Sequence, residues 1–371
     1  MTRIENVNLL PVRVSSKTLW RHLVLTCDDG RTGIGEYTLE RAATDFDDLA
    51  LRLGETLMGS DVDGLNLDDM RPAQGAGFEA WAVFSALDQA VCDLRAQLRA
   101  TPLARWLNPA ASLDPVALYA NINRGIVDRH PDGFAAAAEQ ALAAGYDAIK
   151  IAPFDGVGAD TCETPAGEDL IRQGLDRIRA TANAIAGRAE LQVDCHWRFN
   201  TRRAIALIND MAANNVSWFE CPIAETADAV PDLRHLRALC ETKGMRLAGC
   251  EMMGGLEGFA PYLRGEAYDV IMPDVKYAGG LREILRIAAA ANERSIATSI
   301  HNPSGPIAHI FSVHTMAAMG SSERLEIQFA ESPMFGEITV PTPRLANGAA
   351  GLDNASGLGA KLLETLGGPS R

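Results

Sequence analysis

Two textures of apolar and polar positions divide the chain. Residues 1 to about 60 read as strands: RIENVNLLPVRV and RHLVLTCDDGRTGIGEY are apolar-rich runs, and Asp29-Gly30 between two of them is a hairpin signal. From Phe78 the large apolar residues Trp81, Phe84, Leu87, Val91, Leu94 and Leu98 recur every three or four positions. That period predicts a long helix with one buried stripe. Pro102 and the Asn108-Pro109 pair then break the pattern and place a domain boundary near residue 115.

Beyond that boundary, short β-rich runs alternate with Ala/Leu/Arg-rich helical segments. Strands are predicted to end near ALYAN (117–121), DAIKI (147–151), ELQVD (190–194), VSWFE (216–220), RLAGCE (246–251), YDVIMPD (268–274), SIATSIH (295–301) and LEIQFAE (325–331). Their spacing suits one strand, one helix and two short loops. Eight right-handed βα units close into a barrel, so an α/β fold is expected, with a (β/α)-barrel over 116–331 after an N-terminal domain over 1–115. The loop-rich tail, 332–371, is expected to return to the first domain.

Composition narrows the partners. A chain of 371 residues accommodates a barrel of about 250 residues and a smaller second unit. Its net charge of −14, with dispersed basic residues, argues against nucleic acid and for a small-molecule substrate. The opening MTRIENVNLLPVRV has no cationic segment followed by an apolar one, and no apolar stretch approaches the ~18 residues of a membrane span, so a cytoplasmic protein without membrane association is expected. The seven cysteines form no CxxC pair and read as reduced, buried side chains. Cys195, Cys221 and Cys250 adjoin acids, but neighbours along a strand face opposite sides, which favours packing over ligation.

Asp194, Glu220 and Glu251 each end an apolar strand, at neighbouring C-terminal ends of the expected barrel, where active sites sit. Any one such acid could equally be a helix cap or a solvated side chain; three in successive units are harder to explain so. A like-charge pair at about 4 Å costs roughly 4 kcal/mol at an effective dielectric of 20. A dication removes that cost, and all-oxygen ligation favours Mg²⁺ over Zn²⁺. A two-metal hydrolase would need several histidines, and only His196 lies near these acids in sequence.

Acid–base candidates surround the trio. Lys150, ending the second strand, either neutralises a substrate carboxylate or acts as a base, the bland alternative being a lysine reaching solvent. Asp274 and His301 end strands six and seven, where a carboxylate can orient an imidazole as a general base. His196, two residues after Asp194, points the same way by strand parity and is a candidate general acid.

With these residues in place the sequence resembles the enolase superfamily, mandelate racemase subgroup, through GYDAIK, QVDCHWRF, WFECP, AGCE, IMPDVKYAGG and IHNPSGPIA, in that order. The resemblance covers essentially the whole chain. It implies an enolase-type modified barrel beneath an α+β capping domain built from the N-terminal segment and C-terminal tail, with Mg²⁺ on Asp194, Glu220 and Glu251. It further implies abstraction of the proton α to a carboxylate, giving an enediolate that the metal stabilises. The Asp-His dyad of the family maps onto Asp274 and His301, and its strand-eight glutamate, which binds the substrate carboxylate, onto Glu331. Trp20, Arg21 and His22 are placed in or beside a capping loop that closes over substrate.

Two features narrow the subgroup. Racemases of the family carry Lys-x-Lys on strand two; the matching triplet here is Lys150-Ile151-Ala152, so the second base is missing. Asp194-Cys195-His196 is similar to acid-sugar dehydratases of the D-galactonate dehydratase type, in which such a histidine protonates the departing hydroxyl. Lys276 has no assignable counterpart: a second substrate carboxylate, a ring oxygen and a plain loop position stay open. The leading expectation is a Mg²⁺-dependent sugar-acid dehydratase giving a 2-keto-3-deoxy acid, with Lys150 and Glu331 on the carboxylate. The alternatives are a racemase, epimerase or lactone cycloisomerase and, from another class, a non-catalytic metal-stabilised binding protein. A closed homo-oligomer is the general expectation.

Overall fold

The structure, a computed structural model, describes residues 1–15, 18–39, 42–73 and 75–363. Strands β1 (Ile4–Arg13), β2 (Leu19–Cys27) and β3 (Thr32–Glu36) form an antiparallel sheet in sequential order. The Asp29-Gly30 turn joins the last two, Gly30 taking φ +82° and the Cys27 N–H bonding the Arg31 carbonyl at 2.8 Å. Helices α1 (Phe46–Glu55), α2 (Phe78–Leu98) and α3 (Leu103–Leu107) complete this N-terminal layer.

Helix α2 begins at Phe78 as its periodicity predicts, but it is buried on more than one stripe. One side packs Trp81, Phe84, Leu87, Val91 and Leu94 with the sheet residues Leu23 and Leu25. Another carries polar residues that dock on the barrel. Ser85 Oγ accepts from Gly279 N at 3.2 Å, Asp88 Oδ2 from Leu281 N at 2.7 Å, and Gln89 Nε2 donates to Val275 O at 2.8 Å. This polar face is satisfied by backbone groups of the strand-six loop.

The barrel follows as β4 (Val116–Asn121), α4 (Pro131–Ala143), β5 (Ala148–Ile151), α5 (Pro165–Ile185), β6 (Glu190–Asp194), α6 (Thr201–Ala213), β7 (Val216–Glu220), α7 (Val230–Glu241), β8 (Arg246–Gly249), α8 (Gly255–Arg264), β9 (Val270–Ile271), α9 (Leu281–Asn292), β10 (Ala297–Thr298), α10 (Pro306–Met319) and β11 (Leu325–Gln328). The eight strands pair in parallel and in chain order, and β11 returns to β4. Among the described residues no strand ladder joins β10 to β11. Ser299 Oγ to Arg324 O at 2.8 Å and Asn302 N to Glu326 Oε2 at 2.9 Å bridge that gap.

The tail, described through Leu363, serves both layers. A hairpin of β13 (Leu345–Ala346) and β14 (Ala349–Ala350), after β12 (Thr339–Val340), extends the sheet beside the start of β4. The closing strand β15 (Lys361–Leu362) pairs with β12, and Leu358 N donates to Asp93 Oδ1 on α2. The seven cysteines are free and buried. Among the described residues no helix is long and apolar enough to cross a membrane.

Candidate active site

Strand register sets the floor of the site. Asp194 and Glu220 are direct neighbours across the β6–β7 pair. Glu251 lies two residues beyond β8, presented by Cys250, whose backbone is left-handed at φ +65°. Carboxylate oxygens of the three lie within 4.8 Å of one another, all buried. Burial raises the Glu251 carboxyl well above the usual range, and Asp194 and Glu220 add to the shift. Its Oε2 accepts no hydrogen bond from the protein. An orphaned buried carboxylate oxygen facing two further carboxylates is a donor set that fits a hard divalent cation. The thiols of Cys195, Cys221 and Cys250 stand outside this set, and burial holds each well above its ordinary pKa.

Lys150 sits inside the barrel, 1% exposed, and not at a free strand end. Its ammonium meets Glu220 Oε1 at 2.7 Å, Glu326 Oε1 at 2.9 Å and the Tyr119 hydroxyl at 3.3 Å. An ammonium has three donors and all three are engaged, so Lys150 is not available to hold a substrate carboxylate. Burial disfavours its charge, but Glu220 and Glu326 prevail and keep it protonated well above the ordinary lysine range.

The strand-eight acid at the floor is Glu326 and not Glu331. Glu326 points inward between Lys150, the Asn121 amide (2.7 Å) and the Asn302 N–H (2.9 Å), and lies 4.0 Å from His301 Nε2. Burial opposes its ionisation, but Lys150 and His301 outweigh this and bring its pKa to about 2. Glu331 stands at the rim, accepting from Thr18 Oγ1 at 2.9 Å and facing Arg124 at 3.4 Å. The strand ends at Gln328 and the chain turns through Ala330 at φ +57°, so the apolar run that reads as strand up to 331 is partly loop.

Asp274 and His301 come together as expected, Oδ2 to Nδ1 at 2.9 Å, with His301 N bonded to Pro273 O at 3.1 Å. The other ring nitrogen, Nε2, lies 3.5 Å from Glu251 Oε2. Tyr277, unmarked in the sequence, reaches His301 Nδ1 with its hydroxyl at 3.1 Å. Lys276 is committed inward: its ammonium bonds Asp274 Oδ2 at 2.7 Å and Ser304 Oγ. At 3% exposure, two of its three donors support the dyad. Although burial alone would raise the Asp274 carboxyl, Lys276 and His301 hold it below its usual range.

His196 reaches the trio by a turn, not by strand parity. The strand stops at Asp194, and His196 and Trp197 take φ +49° and +56°. The imidazole Nε2 then lies 3.3 Å from Asp194 Oδ2, 42% exposed at the mouth.

Trp20, Arg21 and His22 are strand residues of β2, not loop residues. Trp20 is buried with Val12 and Ile338; Arg21 pairs with Asp47 at 2.9 Å; His22 is buried with Nδ1 on Leu10 O at 2.9 Å. Burial lowers the His22 pKa, although Glu36 lies 3.8 Å away. Their alternation in a β-rich run was the signal that they build the sheet.

Comparison with known proteins agrees with this architecture. The model of the mandelate racemase / muconate lactonizing enzyme N-terminal domain matches residues 1–107, and that of the enolase C-terminal domain-like family matches residues 133–366. A D-gluconate dehydratase of Thermoproteus tenax is 27% identical over 290 residues, 78% of this chain, and the match spans 56% of that protein's length. A D-galactonate dehydratase of Ralstonia pickettii (strain 12J) is 26% identical over 304 residues, 80% of this chain and 74% of that protein. The crystal structure of an enolase-superfamily member from Salmonella Typhimurium superposes with a TM-score of 0.86 at 22% identity, covering 99% of this chain and 97% of that one. The chain belongs to the mandelate racemase / muconate lactonizing enzyme family of the enolase superfamily.

Proposed function

We propose that the protein is a Mg²⁺-dependent dehydratase of a sugar acid. One observation carries the reading: His196 and His301 flank the carboxylate trio, 3.3 Å from Asp194 and 3.5 Å from Glu251. A β-elimination needs a base for the α-proton and an acid for the departing hydroxyl. Asp194, Glu220 and Glu251 would hold Mg²⁺, which supplies Lewis-acid stabilisation to charge developing on the substrate carboxylate.

In this reading His301 Nε2 takes the α-proton, since Nδ1 is held by Asp274 and Tyr277. His196, open to the mouth, gives a proton to the leaving β-oxygen. The enol so released ketonises to a 2-keto-3-deoxy acid. Lys150 and Glu326 form the floor, where the ammonium between them fixes Glu220, and neither takes the substrate carboxylate. Racemisation is disfavoured because Ala152 offers no proton carrier and Lys150 is fully engaged. The D-gluconate, D-galactonate and D-xylonate dehydratases among the relatives support the class.

A panel of aldonic acids incubated with enzyme and Mg²⁺, assayed with semicarbazide for a 2-keto product, tests the reading. H196N is expected to exchange the substrate α-proton with D₂O while losing ~10²-fold or more in keto-acid formation, and H301N to lose both. No keto acid from the whole panel, with Mg²⁺ bound, would sink it.

A further inference from the structure

We propose that Glu225, which no comparison marks, is a positioning residue: one carboxylate fixes both the loop carrying His196 and the backbone presenting Glu251. The loop half rests on the dehydratase reading; the metal half does not.

The residues beside the trio are under backbone strain. His196, Trp197, Cys221 and Cys250 have φ of +49°, +56°, +44° and +65° without being glycine. Such conformations persist only where the surroundings hold them. Glu225, in the loop between β7 and α7, touches two of the four. Its Oε2 accepts the Trp197 indole N–H at 3.1 Å, and its Oε1 accepts the Cys250 N–H and the Tyr268 hydroxyl, the latter at 2.7 Å. Trp197 N also donates to Cys221 O at 2.6 Å, tying the strand-three loop to the one that bears Glu225. Gly249 makes room for the carboxylate, because an added Cβ would lie 2.5 Å from Glu225 Oε1. Supporting groups of this kind orient ligands that they do not themselves replace.

The two oxygens separate the two duties. Gln at 225 keeps one oxygen for Cys250 and Tyr268 but sets an NH₂ against the Trp197 N–H, so E225Q cuts only the loop tie. E225D keeps the charge but withdraws the carboxylate from Cys250. With the full chain, Mg²⁺ titration by calorimetry without substrate is expected to show at least ~10-fold weaker binding for E225A and E225D, and binding within ~3-fold of wild type for E225Q and W197F. On the sugar acid that wild type converts, E225Q and W197F are expected to lose at least ~10-fold in kcat with KM within ~3-fold.

Should no sugar acid be converted, the dehydratase reading fails while the calorimetry still decides the metal half. In that case the loop half is read from the Trp197 indole signal, one of five in ¹⁵N-labelled protein, which E225Q should move. Mg²⁺ affinity unchanged in both E225D and E225A, or E225Q with wild-type kcat and an unmoved indole signal, overturns the proposal. If E225A does not fold, E225D and E225Q decide it.

Discussion

Glu326 and Glu331 lie five positions apart on one segment and do different work. Glu326 shares Lys150 with Glu220, so E326Q leaves the ammonium with one ionised partner fewer and is expected to lower kcat by ~10²-fold or more, measured in the keto-acid assay. Glu331 instead accepts from Thr18 Oγ1 and faces Arg124, away from Lys150 and the carboxylate trio, so E331Q is expected to leave kcat close to wild type. The sequence hides this difference because both acids belong to one β-rich run, LEIQFAE, which only Glu331 ends. The usable signal was parity: Glu326 has alternating apolar neighbours inside a strand, and an acid there must be paired within the barrel. Asp194 and Glu220 were legible because their strands stop at them. Glu251 was legible although β8 stops at Gly249, since one left-handed residue returns it to the cluster. Glu225 sits in a loop with no period to reveal it.

At the level of elements, strand order and helix positions follow from apolar spacing, whereas the joints between layers do not. Strands β9 and β10 span two residues each, yet the backbone bond from His301 to Pro273 still aligns the dyad. One such joint is Glu36, at the end of β3, whose oxygens accept from Gly305 N at 3.1 Å and Ala308 N at 2.9 Å, capping α10 from another layer. Nothing local in the sequence links residue 36 to residue 305. Removing this buried acceptor leaves two N–H groups unsatisfied, so E36A is expected to destabilise the protein by ~1–3 kcal/mol in urea unfolding. Close packing makes a second prediction. A Cβ at Gly35 would stand 2.0 Å from the Ala86 carbonyl oxygen, so G35A should lower the thermal midpoint by forcing α2 off the sheet.

For the molecule as a whole, charge and pH act at two places. The carboxylates of Asp194, Glu220, Glu251 and Glu326 face one lysine, Lys150, so Mg²⁺ should raise the unfolding midpoint and EDTA reverse it. Ligand at about 100 times its Kd corresponds to ~2.7 kcal/mol. Asp93, between α2 and the tail, has its carboxyl raised by burial to about 6, above the ~3.9 of an unfolded chain. The sign follows: its contribution is complete below pH ~4 and is lost as pH rises through about 6. Across urea melts from pH ~4 to ~7, the stability of wild type relative to D93N, which has no proton to lose, should fall. The Glu36 cap has a wider consequence. The loop bearing His301 runs into a helix start that the N-terminal layer holds, so the placement of His301 is borrowed from outside the barrel. Exchanging N-terminal layers between relatives should therefore also exchange the placement of His301, and a graft lacking a carboxylate at this spot should displace His301 while leaving the carboxylate trio in register.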